Sequence, residues 1–284
     1  MFRRTDSAIS PTALYTGTVW RRHGLSHPAF ATFAGNAMWT GLVGPRRAVE
    51  LLGGPHFDAL LLARHHAIDA LLERAIEAGE VTQVIELAAG LSPRGWRFAS
   101  RYGPDLTYVE TDLAGMARRK VDLLGRAGLM GAGHRVRVVD AFRPTGPDSL
   151  HALAGELDPD QGTAVITEGL INYFPTADVL TLWHSVAESL HRFPRGLYLS
   201  DIHLGQSADA VTATAKALIT AFVRGSVYLH FDDEQDAIAA LENAGFDDAQ
   251  LLRPSSFDAD VSTKPGVDRN LIIRARCFRG PGEA

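Results

Sequence analysis

Apolar positions fall at two different spacings along this chain, and the change comes near residue 80. Between 57 and 78, Leu60, Leu61, Ile68, Leu71, Leu72 and Ile76 recur every three to four residues. That spacing predicts an amphipathic helix, and Gly79 is a stop signal for it. Upstream, over 10–52, Tyr15, Trp20, Phe30, Phe33, Met38 and Trp39 lie among glycines, and short helices forming a cap are expected there. From 81 onward, short apolar runs alternate with helical stretches, the mark of a parallel sheet. Strands are predicted at 83–87, 107–111, 135–139, 163–167 and 196–202. Helices are predicted from Ser92-Pro93 to about Gly103, then over 113–127, 149–157 and 176–191. A helical insert is expected at 207–224, then a helix over 233–243 that Gly245 ends, with Phe246 packing back on it. Two short strands, 249–253 and 270–278, are expected as an antiparallel edge hairpin. The fold class is therefore α/β: a doubly wound, seven-stranded Rossmann-like sheet with an N-terminal helical cap and an insert after strand five. The cap is assigned to residues 1–79 and the core to 80–284, with the insert at about 204–232.

Composition narrows the class. At 284 residues, 46% hydrophobic and 21% charged, the chain can bury a sizeable core. A net charge of -5 gives no basic footprint for nucleic acid or an anionic membrane. Cys277 is the one cysteine, which excludes an intrachain disulfide and suits a reducing compartment. The N-terminus has no apolar signal core, and no run approaches the roughly 18 apolar residues of a membrane span. A soluble cytoplasmic protein is expected, with no nucleic-acid or membrane partner. A homodimer is compatible with the aromatic N-terminal segment.

In an open parallel sheet the ligand lies off the carboxyl ends of the strands. Those ends carry Glu86 to Gly90, Glu110 and Asp112, Asp140, Glu168, and Asp201 with His203. Gly90 lets backbone approach a ligand, or is a plain turn glycine. Asp112 can accept both hydroxyls of a ribose, or cap a helix. Asp140 can accept from an adenine amine, or cap the turn through Arg143 and Pro144. Glu168 follows Ala164-Val165-Ile166-Thr167 into the middle of the sheet, where an acid is costly unless paired or facing a ligand. An acid for a ribose without the Gly-x-Gly-x-x-Gly phosphate cradle points to S-adenosylmethionine rather than NAD. Arg64, on the helix before strand one, can grip a carboxylate, although a solvated helix face is the commoner fate of such a residue. Glu86 and Glu110 stay unassigned between turn caps and cofactor contacts.

Four segments, in order and spacing, resemble the leucine carboxyl methyltransferase family, including its bacterial branch acting on polyketide carboxylates. They are Ala63-Arg64-His65-His66, Val84-Ile85-Glu86-Leu87-Ala88-Ala89-Gly90-Leu91, Tyr108-Val109-Glu110-Thr111-Asp112, and Thr167-Glu168-Gly169-Leu170-Ile171-Asn172-Tyr173-Phe174. The match runs over roughly 57–205, and Trp96-Arg97 and Lys120 also fit it. The resemblance implies that Arg64 binds the cofactor carboxylate and that Gly90 contacts its methionine part. Asp112 would hold the ribose, Asp140 with Ala141 the adenine, and Glu168 the amino group. Tyr173 would border the acceptor pocket. Ser10-Pro11-Thr12-Ala13-Leu14-Tyr15-Thr16 is similar to the small-molecule branch. There are departures. Ala88-Ala89-Gly90 replaces the usual Gly-Ala-Gly, Ser92 stands for an Asp, and His27-Pro28 stands where the branch often has Asp-Pro.

The implied activity is O-methyl transfer from S-adenosyl-L-methionine to a small-molecule carboxylate, giving a methyl ester and S-adenosyl-L-homocysteine, with no metal. A carboxylate is ionised at neutral pH and needs no base. A phenol acceptor, the first alternative, has a pKa of about 10 and would gain from one. His203 is the best-placed base, ahead of His184 and His230. Tyr15, Trp20, Trp39, Phe222 and Tyr228 could line a ring-shaped pocket or simply join cap to sheet. Arg21 and Arg22 could anchor an acidic substrate or sit solvated. Further alternatives are methylation of a protein phosphatase C-terminus, a non-catalytic cofactor-binding protein, and an NAD oxidoreductase. The missing third glycine argues against the last of these.

Overall fold

The computed structural model describes residues 11–51, 53–54, 56–205, 228–258 and 264–280. The insert expected at 207–224, with Phe222, lies outside them. Four helices precede the first strand: α1 (Pro11–Arg22), α2 (Phe33–Gly41), α3 (Val43–Leu51) and α4 (Phe57–Glu77). His27 caps a short 3-10 turn between α1 and α2 by accepting from the Ala29 amide at 3.2 Å, a task an aspartate there could also perform.

The strands are β1 (Gln83–Leu87), β2 (Thr107–Asp112), β3 (His134–Val138), β4 (Thr163–Thr167), β5 (Arg195–His203), β6 (Asp248–Leu252) and β7 (Asn270–Phe278). The later helices are α5 (Arg94–Tyr102), α6 (Ala114–Ala127), α7 (Leu150–Ala154), α8 (Thr176–Leu190) and α9 (Glu234–Asn243). One sheet forms in the order β3-β2-β1-β4-β5-β7-β6. The first five strands are parallel, and β7 runs antiparallel to both β5 and β6. The chain winds outward in both directions from β1 and β4, which puts the switch point between their carboxyl ends.

β1 and β4 are buried at every position, as expected of central parallel strands covered on both faces. Ile85 and Leu87 pack towards α7, α8 and α9, with Trp183 at the centre of that layer. Val84, just before them, faces the opposite layer of Ile68, Leu72 and Phe98 from α4 and α5. The helix spacing read at 57–78 is thus the stripe that seats α4 on the sheet, and α4 carries the cap.

The last two strands pair antiparallel at one edge of the sheet as expected, with β6 outermost and β7 inside it. β7 spans nine residues and wedges between β5 and β6, pairing with β5 from Arg195↔Phe278 to His203↔Asn270. Its apolar run Leu271-Ile272-Ile273 is buried on both sides, and that burial is what favours an internal place. One expectation shifts by a residue, the start of α5. Pro93 takes the cap position, and the Ser92 hydroxyl accepts from the Arg94 amide at 3.2 Å.

Candidate functional site

The carboxyl ends of β1, β2, β4 and β5 converge beneath α1 and α4. After β1 the chain turns through Ala88-Ala89-Gly90, where Ala88 and Gly90 both have φ of 51°. Ala88 is the one non-glycine among the described residues with positive φ, so the departure from the usual glycine puts a Cβ in left-handed backbone. Gly90 donates its amide to Asp112 Oδ2 at 2.8 Å, and the Leu113 amide donates to Oδ1 at 2.8 Å. Burial raises the Asp112 carboxyl pKa, and these two amides pull against it. No ion pair joins Asp112 to a cation among the described residues. A nearly buried acid held only by amides, at the tip of β2, fits a pair of ligand hydroxyls. A Cβ on Gly90 would meet the Ala13 Cβ at 3.2 Å, so α1 closes directly over the turn.

Glu168 follows β4 into a buried network of charges. Its Oε1 accepts from Arg64 Nε at 3.1 Å, and its Oε2 accepts from Arg94 Nη2 at 2.6 Å and lies 2.8 Å from His65 Nδ1. Burial alone would raise its pKa, but His65, Arg94 and Arg64 hold it well below the usual carboxylate range. Arg94, fully buried, also donates to Asp69 at 2.6 Å and Glu86 at 2.7 Å. Arg64 donates from Nη1 to Asp201 Oδ2 at 3.1 Å, and Arg97 donates to Asp69 at 2.7 Å. Three guanidiniums therefore face four carboxylates, leaving one negative charge in excess apart from His65. Gly169, with φ of 66°, makes room for this. A Cβ there would strike Arg64 Nη2 at 2.8 Å.

The acids left open in the sequence resolve as structural. Glu86 accepts from Arg94 and from the Tyr108 hydroxyl at 2.7 Å. Glu110 forms a second buried cluster with Lys120 and with His134 Nε2 at 2.7 Å. Asp140 accepts from the Phe142 amide at 3.1 Å, capping its own turn, and Ala141 is buried beside it in the core. That places both at the end of β3, away from the charge network.

Beyond Gly169 a cavity of about 180 Å³ opens between the cap and the strand ends. Leu42, Phe57, Leu60 and Leu61 form its apolar wall. Its polar end carries Arg64, Tyr173, Asp201, His203 and Asn270. So Tyr173 and His203, 30 residues apart in the chain, border one space with Arg64. The Tyr173 hydroxyl is hydrogen-bonded to Thr12 of α1, and burial raises its pKa. His203 Nδ1 lies 2.9 Å from Asn270 Oδ1, and Asn270 Nδ2 donates to Asp201 Oδ2 at 3.0 Å. Burial lowers the His203 pKa; Asp201 opposes this, and Arg64 and His230 add to it.

The other candidates lie elsewhere. His230 is bound to the Ile171 carbonyl at 3.0 Å and to Thr176 at 3.1 Å, and His184 lies 3.3 Å from the Ala244 carbonyl. Arg21 donates to Asn36, and Arg22 stacks 3.7 Å over Trp39, so neither lines the cavity. Trp20 packs α1 against His65 of α4 within the cap, whereas Tyr15 does line the cavity. Sequence reasoning missed Arg46, whose Nη1 donates to the Tyr15 hydroxyl at 3.0 Å and pairs with Asp58 at the cavity wall. It also missed Arg94 and Asn270. A guanidinium just after Pro93 was the available signal for Arg94, and it is a weak one. Among the described residues no group of three or more His, Cys, Asp or Glu side chains could hold a metal ion.

A family model described as leucine carboxyl methyltransferase matches residues 36–187. A protein of Frankia alni (strain DSM 45986 / CECT 9034 / ACN14a) is 34% identical over 160 residues, covering 56% of this chain and 54% of that protein. One of Rhodococcus jostii (strain RHA1) is 32% identical over 159 residues, covering 56% and 51%. Both are provisionally named S-adenosyl-L-methionine-dependent methyltransferases. The chain thus spans about half the length of the curated relatives it matches. A solved methyltransferase-like protein of Thermobifida fusca YX superposes with a TM-score of 0.66 over 98% of this chain and 97% of its own, at 12% identity, a likeness of fold.

Proposed function

From the premise that this chain belongs to the leucine carboxyl methyltransferase family, we propose that it transfers the methyl group of S-adenosyl-L-methionine to an oxygen of a small molecule. The observation that carries this reading is the buried pair of Glu168 and Arg64 at the switch point, beside an amide-held Asp112. S-adenosyl-L-methionine offers an ammonium, a carboxylate and two ribose hydroxyls, one partner for each of the three. In this reading Asp112 takes the ribose hydroxyls, Glu168 the ammonium and Arg64 the carboxylate. Gly90 lets the backbone come close, and Asp140 with Ala141 borders the adenine.

When bound, the cofactor supplies an electrophilic methyl group. The chain's own residues align the acceptor and keep water out, which can contribute several kcal/mol to the rate. An engineered apolar cavity of about 150 Å³ holds benzene, so about 180 Å³ suits an acceptor part of one ring. That favours a small molecule over a protein terminus. The carboxylate acceptor expected from the family has support in Arg46, whose Nε is buried without a hydrogen-bond partner among the described residues. The alternative, a hydroxyl acceptor, has support in His203.

Calorimetric titration with S-adenosyl-L-homocysteine, with NADH as the control, tests the reading. Micromolar binding by wild type, weakened at least tenfold in Asp112→Ala and absent for NADH, is expected. No binding by wild type would leave the fold without this activity.

A further inference from the structure

We infer that the methyl acceptor is a hydroxyl, and that His203 is the base that takes its proton, held in the competent tautomer by Asn270 and Asp201. The inference rests on the methyltransferase reading and concerns the acceptor end of the same site. The Asp201 carboxylate can only accept, so the Asn270 group at 3.0 Å from it is the amide nitrogen. That orients the other end of the amide, Oδ1, towards His203 Nδ1 at 2.9 Å. A carbonyl oxygen cannot donate, so Nδ1 carries the hydrogen. In a neutral ring the lone pair then sits on Nε2, which has no hydrogen-bond partner among the described residues, while the ring borders the cavity.

The surroundings keep the ring neutral. Arg64 of α4 and His230 oppose a positive charge, as does burial; Asp201 favours one, and the Tyr173 hydroxyl on the remaining side is itself un-ionised at neutral pH. A carboxylate acceptor would present two accepting oxygens to a lone pair and to the Asp201 field. A hydroxyl instead finds a partner for its hydrogen. As the oxygen bonds to the methyl carbon, its proton passes to Nε2. The carbon–sulfur bond breaks with its electron pair kept by sulfur, leaving a neutral thioether, an ether product and an imidazolium that later returns its proton to water. A positioned base of this kind is worth about 10²–10⁴-fold. Asn270 is a positioning residue here, since it acts only through His203.

Long-range ¹H–¹⁵N correlation spectra of the histidine-labelled full chain, with S-adenosyl-L-homocysteine present, test the tautomer; His203→Gln assigns the signal. Wild type should show a protonated Nδ1 and a bare Nε2 at neutral pH. Asn270→Asp should keep that pattern, and Asn270→Leu should lose it. If Asn270→Leu does not fold, the wild-type spectrum decides alone, and a protonated Nε2 overturns the inference. Calorimetry on the same sample then compares 4-nitrophenol with 4-nitrobenzoate. Tighter binding of the phenol, weakened about tenfold in His203→Gln, supports a hydroxyl acceptor. Equal or tighter binding of the benzoate, or no binding of either, overturns it. Failure of S-adenosyl-L-homocysteine to bind would instead remove the methyltransferase reading and leave the tautomer result standing.

Discussion

Ala88 holds a φ of 51° in the turn after β1. Left-handed backbone with a Cβ is disfavoured by about 1 kcal/mol. Ala88→Gly should therefore raise unfolding free energy by about that amount, read as a higher urea midpoint with unchanged slope. Two other residues contribute to how stability follows pH. The Glu168 pKa is depressed on folding, so its stabilisation is complete above the ordinary glutamate pKa of about 4.3 and is lost as pH falls below it. The His203 pKa is also depressed on folding, so its neutral form favours the fold above about 6.5, and stability declines as pH drops through that value. Urea midpoints measured from pH 7.5 to 3.5 should fall in two stages. His203→Gln should remove part of the upper one and leave the lower.

Among the elements, α5 shows how far local sequence reaches. Its Ser92-Pro93 start was legible to within a residue because cap chemistry is local. The role of its first residue was not. Arginine is rarely buried, and only the docking of α5 beside α4 and β1 brings Arg94 against Asp69, Glu86 and Glu168. Truncating one partner of a buried ionic set costs about 3–5 kcal/mol. Arg94→Met should cost that much in chemical denaturation, whereas Arg101→Ala, removing exposed pairs with Glu73 and Glu77, should cost under about 1 kcal/mol. β1 and β4 were readable to the residue because a central parallel strand is a short unbroken apolar run between turns. The place of β7 was not, since a run of that kind does not say which strand it will pair with. His203 was therefore visible as a residue at a strand end, while Asn270, 67 positions later and directly across from it, was not.

In the whole molecule, α1 is the keystone between cap and site. Ala13 lies over Gly90, and Thr12 is bonded to Tyr173. A ligand filling the ground beneath should stiffen this helix. Hydrogen exchange at the amides of α1 beyond Pro11 should slow when S-adenosyl-L-homocysteine is added, and unfolding free energy should rise by about 2.7 kcal/mol at a hundredfold excess over Kd. Equal exchange with and without ligand would mean that the cap closes independently of the site. β7 has a different kind of importance. Running against its neighbours, it brings its first residue to the edge where parallel strands bring their last, so Asn270 stands level with His203. One side of the site is thereby drawn from the turns after β1, β2 and β4, and the other from β5, β7 and the cap. Arg64 and Asp201 belong to both sets, but Leu42, Phe57 and Leu60 do not, so descendants of this chain can keep Asp112 and Glu168 unchanged while the shape of the cavity wall drifts from lineage to lineage.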